Sequence, residues 1–249
     1  ELFGENTIRC DRAQNIRLRN IPEAYLGNIY NCVSSFERSL VEHASFIGNM
    51  INCTGAQTCK LGICLPRGLS GAIRDRLDSS DLDLDAIPNF RLNMSGCPNT
   101  CGMHHIADLG FFGKVGRNEG NMYPAYNVLA GAETGAGKTK YAQRYGEVAA
   151  HHIPSFVYDF LKVYIDRKKE SRDINYKVFL ENEGIALIER LCDTYKEVPK
   201  LEEDDTYYTD FGAKNRLSLD EIGTAECSAG LFDMLDLDKK MIKKIRKER

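Results

Sequence analysis

The spacing of apolar positions changes along the chain and marks its elements. Thr7-Ile8-Arg9-Cys10 and Asn15-Ile16-Arg17-Leu18-Arg19 alternate apolar and polar residues, the period of an extended strand. Asp11 to Gln14 between them reads as a bend. Pro22 suits a helix start, and Ala24 to Leu40 has helical periodicity. Phe46 to Met50 is a short, partly apolar lead into Cys53. Leu61 to Leu65 begins a helix-like run that Pro66 is expected to bend or break, with a resumption over Gly71 to Leu77. Phe90 to Met94 alternates and feeds Ser95-Gly96-Cys97 as a strand into a loop, and Ile106 to Gly113 and Ala125 to Ala130 read as further strands. From Pro154 the period lengthens. Phe156, Val157, Phe160, Leu161, Val163 and Tyr164 mark an amphipathic helix ending in the polar run Asp166 to Arg172. Tyr176 to Tyr195 reads as a second helix, weakened in its middle by Gly184. After Pro199 an acidic linker, Glu202 to Asp205, leads to a tail. The tail ends in Lys239 to Arg249, with seven basic residues and one acidic one. The expected fold class is α/β with helices at the C-terminal end.

Composition narrows the function classes. The 249 residues are 43% apolar, enough for a real core. A net charge of −3 gives no general attraction to nucleic acid. No apolar run approaches the roughly 20 residues of a membrane span. Glu1 to Glu5 shows neither a basic nor an apolar leader region, so no signal peptide is expected. Nine cysteines is a high count, and it is odd. With several of them clustered, metal ligation in a reducing, cytoplasmic compartment is expected over a disulfide framework.

The clustered cysteines form two pairs, Cys53-Thr-Gly-Ala-Gln-Thr-Cys59 and Cys97-Pro-Asn-Thr-Cys101. Four thiols in two close pairs converge on one centre if the segment between them doubles back. They fit a four-thiolate site for an iron–sulfur cluster or zinc. The first spacing does not favour zinc, whose paired ligands usually stand about two to four residues apart. Gly96 and Gly102 let backbone approach closely, so that N–H groups can bond to sulfur.

Other motifs take blander readings. Cys10, Cys32, Cys64, Cys192 and Cys227 have no partner pattern and read as packing or surface thiols. His104-His105 reads as structural or hydrogen-bonding. Ala132 to Thr139 nearly matches a phosphate-binding P-loop, with Ala132 in place of the first glycine. Only helices are expected after it, which speaks against a nucleotide domain. Asp78 to Asp85 reads as a solvated acidic loop.

Ser95-Gly96-Cys97-Pro98-Asn99-Thr100-Cys101-Gly102, followed by His105 to Phe111, resembles the sirohaem and iron–sulfur nitrite/sulfite reductases. Cys53 and Cys59 supply the other half of that family's signature. Arg12-Ala13-Gln14-Asn15 resembles the element just before its C-terminal haem-binding domain. The resemblance covers Ile8 to Tyr195 and implies the C-terminal half of such an enzyme. Residues 1–47 would be the C-terminal part of a ferredoxin-like α+β half-domain. Residues 48–198 would be the sirohaem and 4Fe–4S binding domain, and 199–249 a linker and charged extension.

By the same resemblance, Cys53, Cys59, Cys97 and Cys101 hold a 4Fe–4S cluster, and Cys101 bridges to the sirohaem iron. Ser95 and Asn99 would hydrogen-bond sirohaem carboxylates, and Gln14 would approach the ring. Arg12, Arg17, Arg19, Lys60, Arg67, Lys114, Arg117 and Lys138 lie near the motifs in sequence and are candidate partners for those carboxylates. Met103 stands where members often carry a polar or cationic residue. No catalytic residue is carried over, because the family's anion-binding cations come from its N-terminal half. The implied reaction is six-electron reduction of nitrite to ammonia or of sulfite to sulfide, with a lean toward nitrite. The implied partners are the N-terminal half of the same enzyme and an electron donor such as ferredoxin or a flavoprotein. The alternative is a non-catalytic iron–sulfur electron-transfer module.

Overall fold

The alternation over residues 7–19 forms a hairpin, in which β1 (Ile8–Cys10) pairs antiparallel with β2 (Ile16–Leu18). The structure, a computed structural model, describes residues 3–11, 14–36, 38, 45–171 and 174–218. At the hairpin turn Gln14 takes the left-handed conformation, φ 64°, and its N–H donates to the Asp11 carbonyl. Pro22 precedes a 3-10 turn, Glu23–Tyr25, that runs into α1 (Leu26–Phe36). None of the described residues of 3–36 is buried, and Ile8, Ile16, Leu26 and Phe36 are exposed.

The next short helix, α2 (Ser45–Gly48), seats Phe46 in the core, edge-on to Phe90 with ring centroids 5.6 Å apart. It leads to β3 (Ile51–Asn52), a strand too short for alternation to reveal. Pro66 does not break a helix. It opens α3 (Pro66–Asp78), because its missing N–H and fixed φ cost nothing in the first turn. Residues 61–65 form a turn and a bend without helix instead. Asp78, Asp81, Asp83 and Asp85 are exposed as expected, while Leu82 and Leu84 between them pack on the core.

The main sheet runs β3, β4 (Leu92–Ser95), β5 (Leu109–Asn118), β6 (Asn121–Ala130), β7 (Gln143–Ala149). The first three are parallel neighbours and the last three antiparallel neighbours, so the sheet is mixed and the fold α/β. Strand β5 starts later than its sequence suggests because His104–Ile106 is a 3-10 turn. Strand β7 was not anticipated. Its residues are largely exposed or half-exposed up to Val148, as on an edge strand, so the apolar period is faint.

Residues 132–139 link β6 to β7, with Glu133 bridged to Lys140. From Lys138 the chain runs into β7 and not directly into a helix, so the P-loop reading lacks its required context.

Successive side chains of a strand point to opposite faces. Leu109, Phe111, Tyr126 and Val128 thus face the helical layer and are buried. That layer is α3, α4 (Ile153–Glu170) and α6 (Ile185–Thr194). Leu69, Ile73, Leu77, Phe156, Phe160 and Ile188 fill it and are all but inaccessible to solvent. Between α4 and α6, α5 (Tyr176–Phe179) passes into a π turn, Leu180–Gly184. The opposite sheet face carries a small cluster of Leu129, Ala132 and Ala142 against Phe112, and then polar side chains.

Residues 199–218, expected as a linker, pack on the domain. Tyr208 is 1% exposed and Asp210 6%. The tail from residue 219 onward, with Cys227, lies outside the described residues, as do Arg12 and Ala13.

Candidate functional site

Pairing of two parallel strands brings the roots of the two cysteine loops together. Ile51 pairs with Asn93 and Asn52 with Met94, and the Cys53 N–H continues the ladder by donating to the Met94 carbonyl at 3.1 Å. Cys53 therefore leaves the C-terminal end of β3 beside the C-terminal end of β4, where Ser95-Gly96 leads to Cys97. Loops at the C-terminal ends of parallel strands are a common place for a site, because the sheet holds their roots rigidly.

The segment between the pairs doubles back, as convergence requires. Ile63 and Cys64 both donate their N–H to the Gly96 carbonyl at 2.9 Å, and Ala56 donates to the Cys64 carbonyl at 3.0 Å. Gly62 N–H returns to the Cys59 carbonyl at 3.0 Å. Gly96 N–H donates to Cys53 Sγ at 3.2 Å. Glycine is needed at this crossing. A Cβ at Gly96 would collide with the Cys64 carbonyl and Gly55 Cα, and one at Gly102 with the Met94 carbonyl. Gly55 also has φ 65°.

Cys53 and Cys59 are half-buried, Cys97 is 6% exposed, and Cys101 is exposed on the 3-10 turn Thr100–Gly102. Among the described residues, no three His, Cys, Asp or Glu side chains are gathered at metal-binding geometry. The backbone is nevertheless arranged for thiolate chemistry. Both cysteine loops rise from one sheet edge, glycines admit close approach, and an N–H already points at a cysteine sulfur. N–H donors of that kind tune thiolate-held clusters. The donor set therefore fits an iron–sulfur group.

His104 is fully buried, its Nδ1 2.7 Å from Ser95 Oγ, which also accepts the Gly102 N–H at 3.0 Å. Its ring lies 5.1 Å from Phe112 and 4.3 Å from His105. Burial, and then the neighbouring His105, push its pKa down to about 3, so the ring is a neutral brace. That agrees with the structural reading of His104.

Ser95 is fully buried, and both of its bonds go to its own loop. Its observed work is to hold the Cys101 turn in place rather than to face outward. Asn99 is half-exposed beside that turn. Gln14 reaches across from the hairpin, and its Nε2 donates to the Asn52 carbonyl at 2.7 Å, next to Cys53. Met103 has φ 54°, and its carbonyl accepts from Asn93 Nδ2 at 3.0 Å. With Thr100, His105, Ile106 and Tyr141 it lines a cavity of about 380 Å³ beside the Cys101 turn.

Of the candidate cations, Arg17 pairs with Asp11 at 3.1 Å and Lys114 with Glu147 at 2.5 Å. Glu147 also accepts from Arg144 at 2.9 Å. The hydrogen bond from Lys114, then the charges of Lys114 and Arg144, hold the Glu147 carboxyl below its usual range against partial burial. Arg144 and Glu147 were missed because β7 was missed. Also missed was Arg91, whose guanidinium and N–H both bind Asp108 and tie the start of β4 to β5. Arg12 lies outside the described residues, and Arg67, Arg117 and Lys138 are exposed.

A sequence profile of the nitrite and sulphite reductase 4Fe-4S domain matches residues 43–200. The chain belongs to this family. Family membership points to a 4Fe–4S cluster and sirohaem as cofactors. The ferredoxin–nitrite reductase of Synechococcus elongatus is 28% identical over 135 residues, 54% of this chain and 26% of that protein. A sulfite reductase [ferredoxin] of Mycobacterium tuberculosis is 28% identical over 138 residues, 53% of this chain and 24% of that protein. The solved structure of the Mycobacterium tuberculosis NirA protein superimposes with a TM-score of 0.60 at 19% identity, over 73% of this chain and 33% of that one, and shares the fold. The chain thus spans about a quarter to a third of the length of these proteins. Among the described residues no helix is long and apolar enough to cross a membrane.

Proposed function

We propose that this chain supplies the cluster- and sirohaem-bearing part of a ferredoxin-dependent reductase of nitrite or sulfite. The observation that carries the reading is the convergence of the two cysteine loops at the ends of β3 and β4, with Gly96 N–H donating to Cys53 Sγ. Cys53, Cys59, Cys97 and Cys101 would hold the 4Fe–4S cluster, with the exposed Cys101 the thiolate on the sirohaem side. When bound, the pair stores electrons and delivers them to a small oxyanion, for the six-electron reduction of nitrite to ammonia or sulfite to sulfide.

This chain's own residues shape the site. Gly55, Gly96 and Gly102 admit the close backbone approaches. His104 and Ser95 brace the Cys101 turn without titrating near neutral pH. Asn99 would donate to a carboxylate of a bound tetrapyrrole, and Gln14, whose Nε2 donates to the Asn52 carbonyl beside Cys53, would approach its ring. The cations that grip the oxyanion come from a part of the enzyme outside this span, and ferredoxin is the donor. Nitrite is the favoured substrate, by likeness to the ferredoxin–nitrite reductases. Residues 3–36, with no buried side chain, fit a piece of a half-domain completed elsewhere.

Anaerobic reconstitution with iron and sulfide tests the cluster. About four irons per chain are expected, falling to near zero in the Cys97→Ser, Cys101→Ser variant. Iron uptake that survives this double substitution would remove the reading. Turnover of nitrite and of sulfite by the full-length enzyme then decides the substrate.

A further inference from the structure

Residues 201–218 lie beyond the stretch that matches the family, yet they are seated on the cysteine loops. Asn118 holds the entry to this strap. Its Nδ2 donates to the Val198 and Pro199 carbonyls, at 2.9 and 3.2 Å, and to the Tyr208 hydroxyl at 3.2 Å. Tyr208 is buried edge-on to Tyr123, with ring centroids 6.2 Å apart. Thr209 bridges Arg216, and Leu217 N–H donates to the Tyr208 carbonyl, so the strap closes into a short loop.

Asp210 sits at the inner tip. Its Oδ2 accepts the Leu65 N–H at 2.6 Å, and its Oδ1 accepts the Phe211 N–H at 2.8 Å. Leu65 follows Ile63 and Cys64, whose N–H groups bind the Gly96 carbonyl, and Gly96 N–H binds Cys53 Sγ. One carboxylate therefore ends a hydrogen-bond chain that reaches both cysteine loops. Two further contacts fix the strap. Gly68 in α3 lies so close that a Cβ there would overlap the Phe211 carbonyl. Ser218 lines a cavity of about 320 Å³ together with Cys59, Lys60 and Gly62.

We propose that residues 199–218 form a clamp on the cysteine loops, with Asp210 as the positioning residue that fixes Leu65 and, through it, the placement of Cys53 and Cys97. The consequence for the cluster rests on the four-cysteine reading above; the clamp itself does not. A carboxylate accepting backbone N–H groups is among the stronger and more directional hydrogen bonds, and removing it takes away the acceptor of the half-buried Leu65 N–H.

The test uses the full 249-residue chain without metal, alkylated under anaerobic conditions, with each cysteine followed by peptide mapping. Asp210→Ala and Gly68→Ala are each expected to speed labelling of Cys53 and Cys59 by about tenfold or more, and to leave buried Cys192 unchanged. Asp210→Asn keeps an acceptor oxygen for Leu65 and is expected to restore most of the protection. In reconstituted protein, iron should pass to a chelator faster in the same variants and in the same order. Unchanged labelling of Cys53 and Cys59 overturns the clamp. So does equal acceleration at Cys192, which would mean general loosening. If Asp210→Ala does not fold, Gly68→Ala and Asp210→Asn decide. Should the native chain take up no iron, the four-cysteine reading fails while the labelling still judges the clamp.

Discussion

The helical layer and the cysteine loops lie on the same sheet but are held together by different physics. In the layer, large side chains interdigitate: Phe156, Phe160, Ile73 and Leu77 meet the sheet through Phe111 and Tyr126. In the loops the contacts are between main chains, with Gly55, Gly62, Gly96 and Gly102 each admitting a neighbouring backbone or ring where a Cβ would collide. Side-chain packing relaxes when one partner shrinks or shifts. A backbone crossing fixed by hydrogen bonds has no such slack. The loops should therefore tolerate lost volume and reject added volume, and the layer should be hurt most by lost volume.

The largest effect is expected from truncation in the layer. Phe160→Ala removes a fully buried ring that meets Phe179 at 5.8 Å and should cost about 3–5 kcal/mol in urea unfolding. A cost under about 1 kcal/mol would break the comparison from the helical side.

Next comes the strap, where the two regions meet. The ordinary carboxyl value for Asp210 is 3.8, and burial pushes it up to about 6, opposed only in part by the N–H bonds from Leu65 and Phe211. Between those values the folded chain keeps a proton that the unfolded chain releases. Stability from this group is thus highest below about pH 4, falls as pH rises to about 6, and is level above. Facing it from the loop and from β6 are Cys64 and Tyr126. Burial raises both of them further, so they stay neutral across this window. Unfolding of the native chain and of Asp210→Asn across pH 4 to 7 should differ by a slope totalling about 2–3 kcal/mol. Parallel curves would show that Asp210 titrates like an exposed acid.

These regions also differ in how legible they were. Helix α4 and strands β4, β5 and β6 could be read because burial imposes a period on their own residues. The cysteine pairs could be read because thiols at that spacing are chemically distinctive. Their convergence was legible only through the family resemblance, since the pattern of apolar residues does not show β3, two residues long, pairing with β4. Pro66 reads as a helix breaker in the sequence, yet the missing N–H that breaks a helix interior is harmless at the first turn. Strand β7 hid behind its polar edge, and with it Arg144 and Glu147. The strap looked like a linker because its acidic run is exposed, while the residues that anchor it, Tyr208 and Asp210, form no period.

The comparison is sharpest when one substitution is made in both regions. Gly102→Ala sets a methyl against the Met94 carbonyl, a backbone atom at the end of β4 that cannot move without disturbing Ser95 and Cys97. It should cost about 1–3 kcal/mol and abolish iron uptake on reconstitution. Normal iron content would show that the loops have slack after all.

Gly184→Ala makes the same change in the π turn before α6. There the new methyl meets Leu180 Cδ1 and Phe179 Cε1, both at 3.1 Å, and these are the far ends of side chains that can give by a few tenths of an ångström. Replacing glycine within a helix gains roughly 0.5–1 kcal/mol in backbone entropy, which offsets the crowding. The net change should stay within about 0.5 kcal/mol, with iron uptake untouched. A loss as large as that of Gly102→Ala would mean that the π turn is as rigid as the cysteine loops. Rigidity would then follow from local backbone conformation, and not from main-chain crossings.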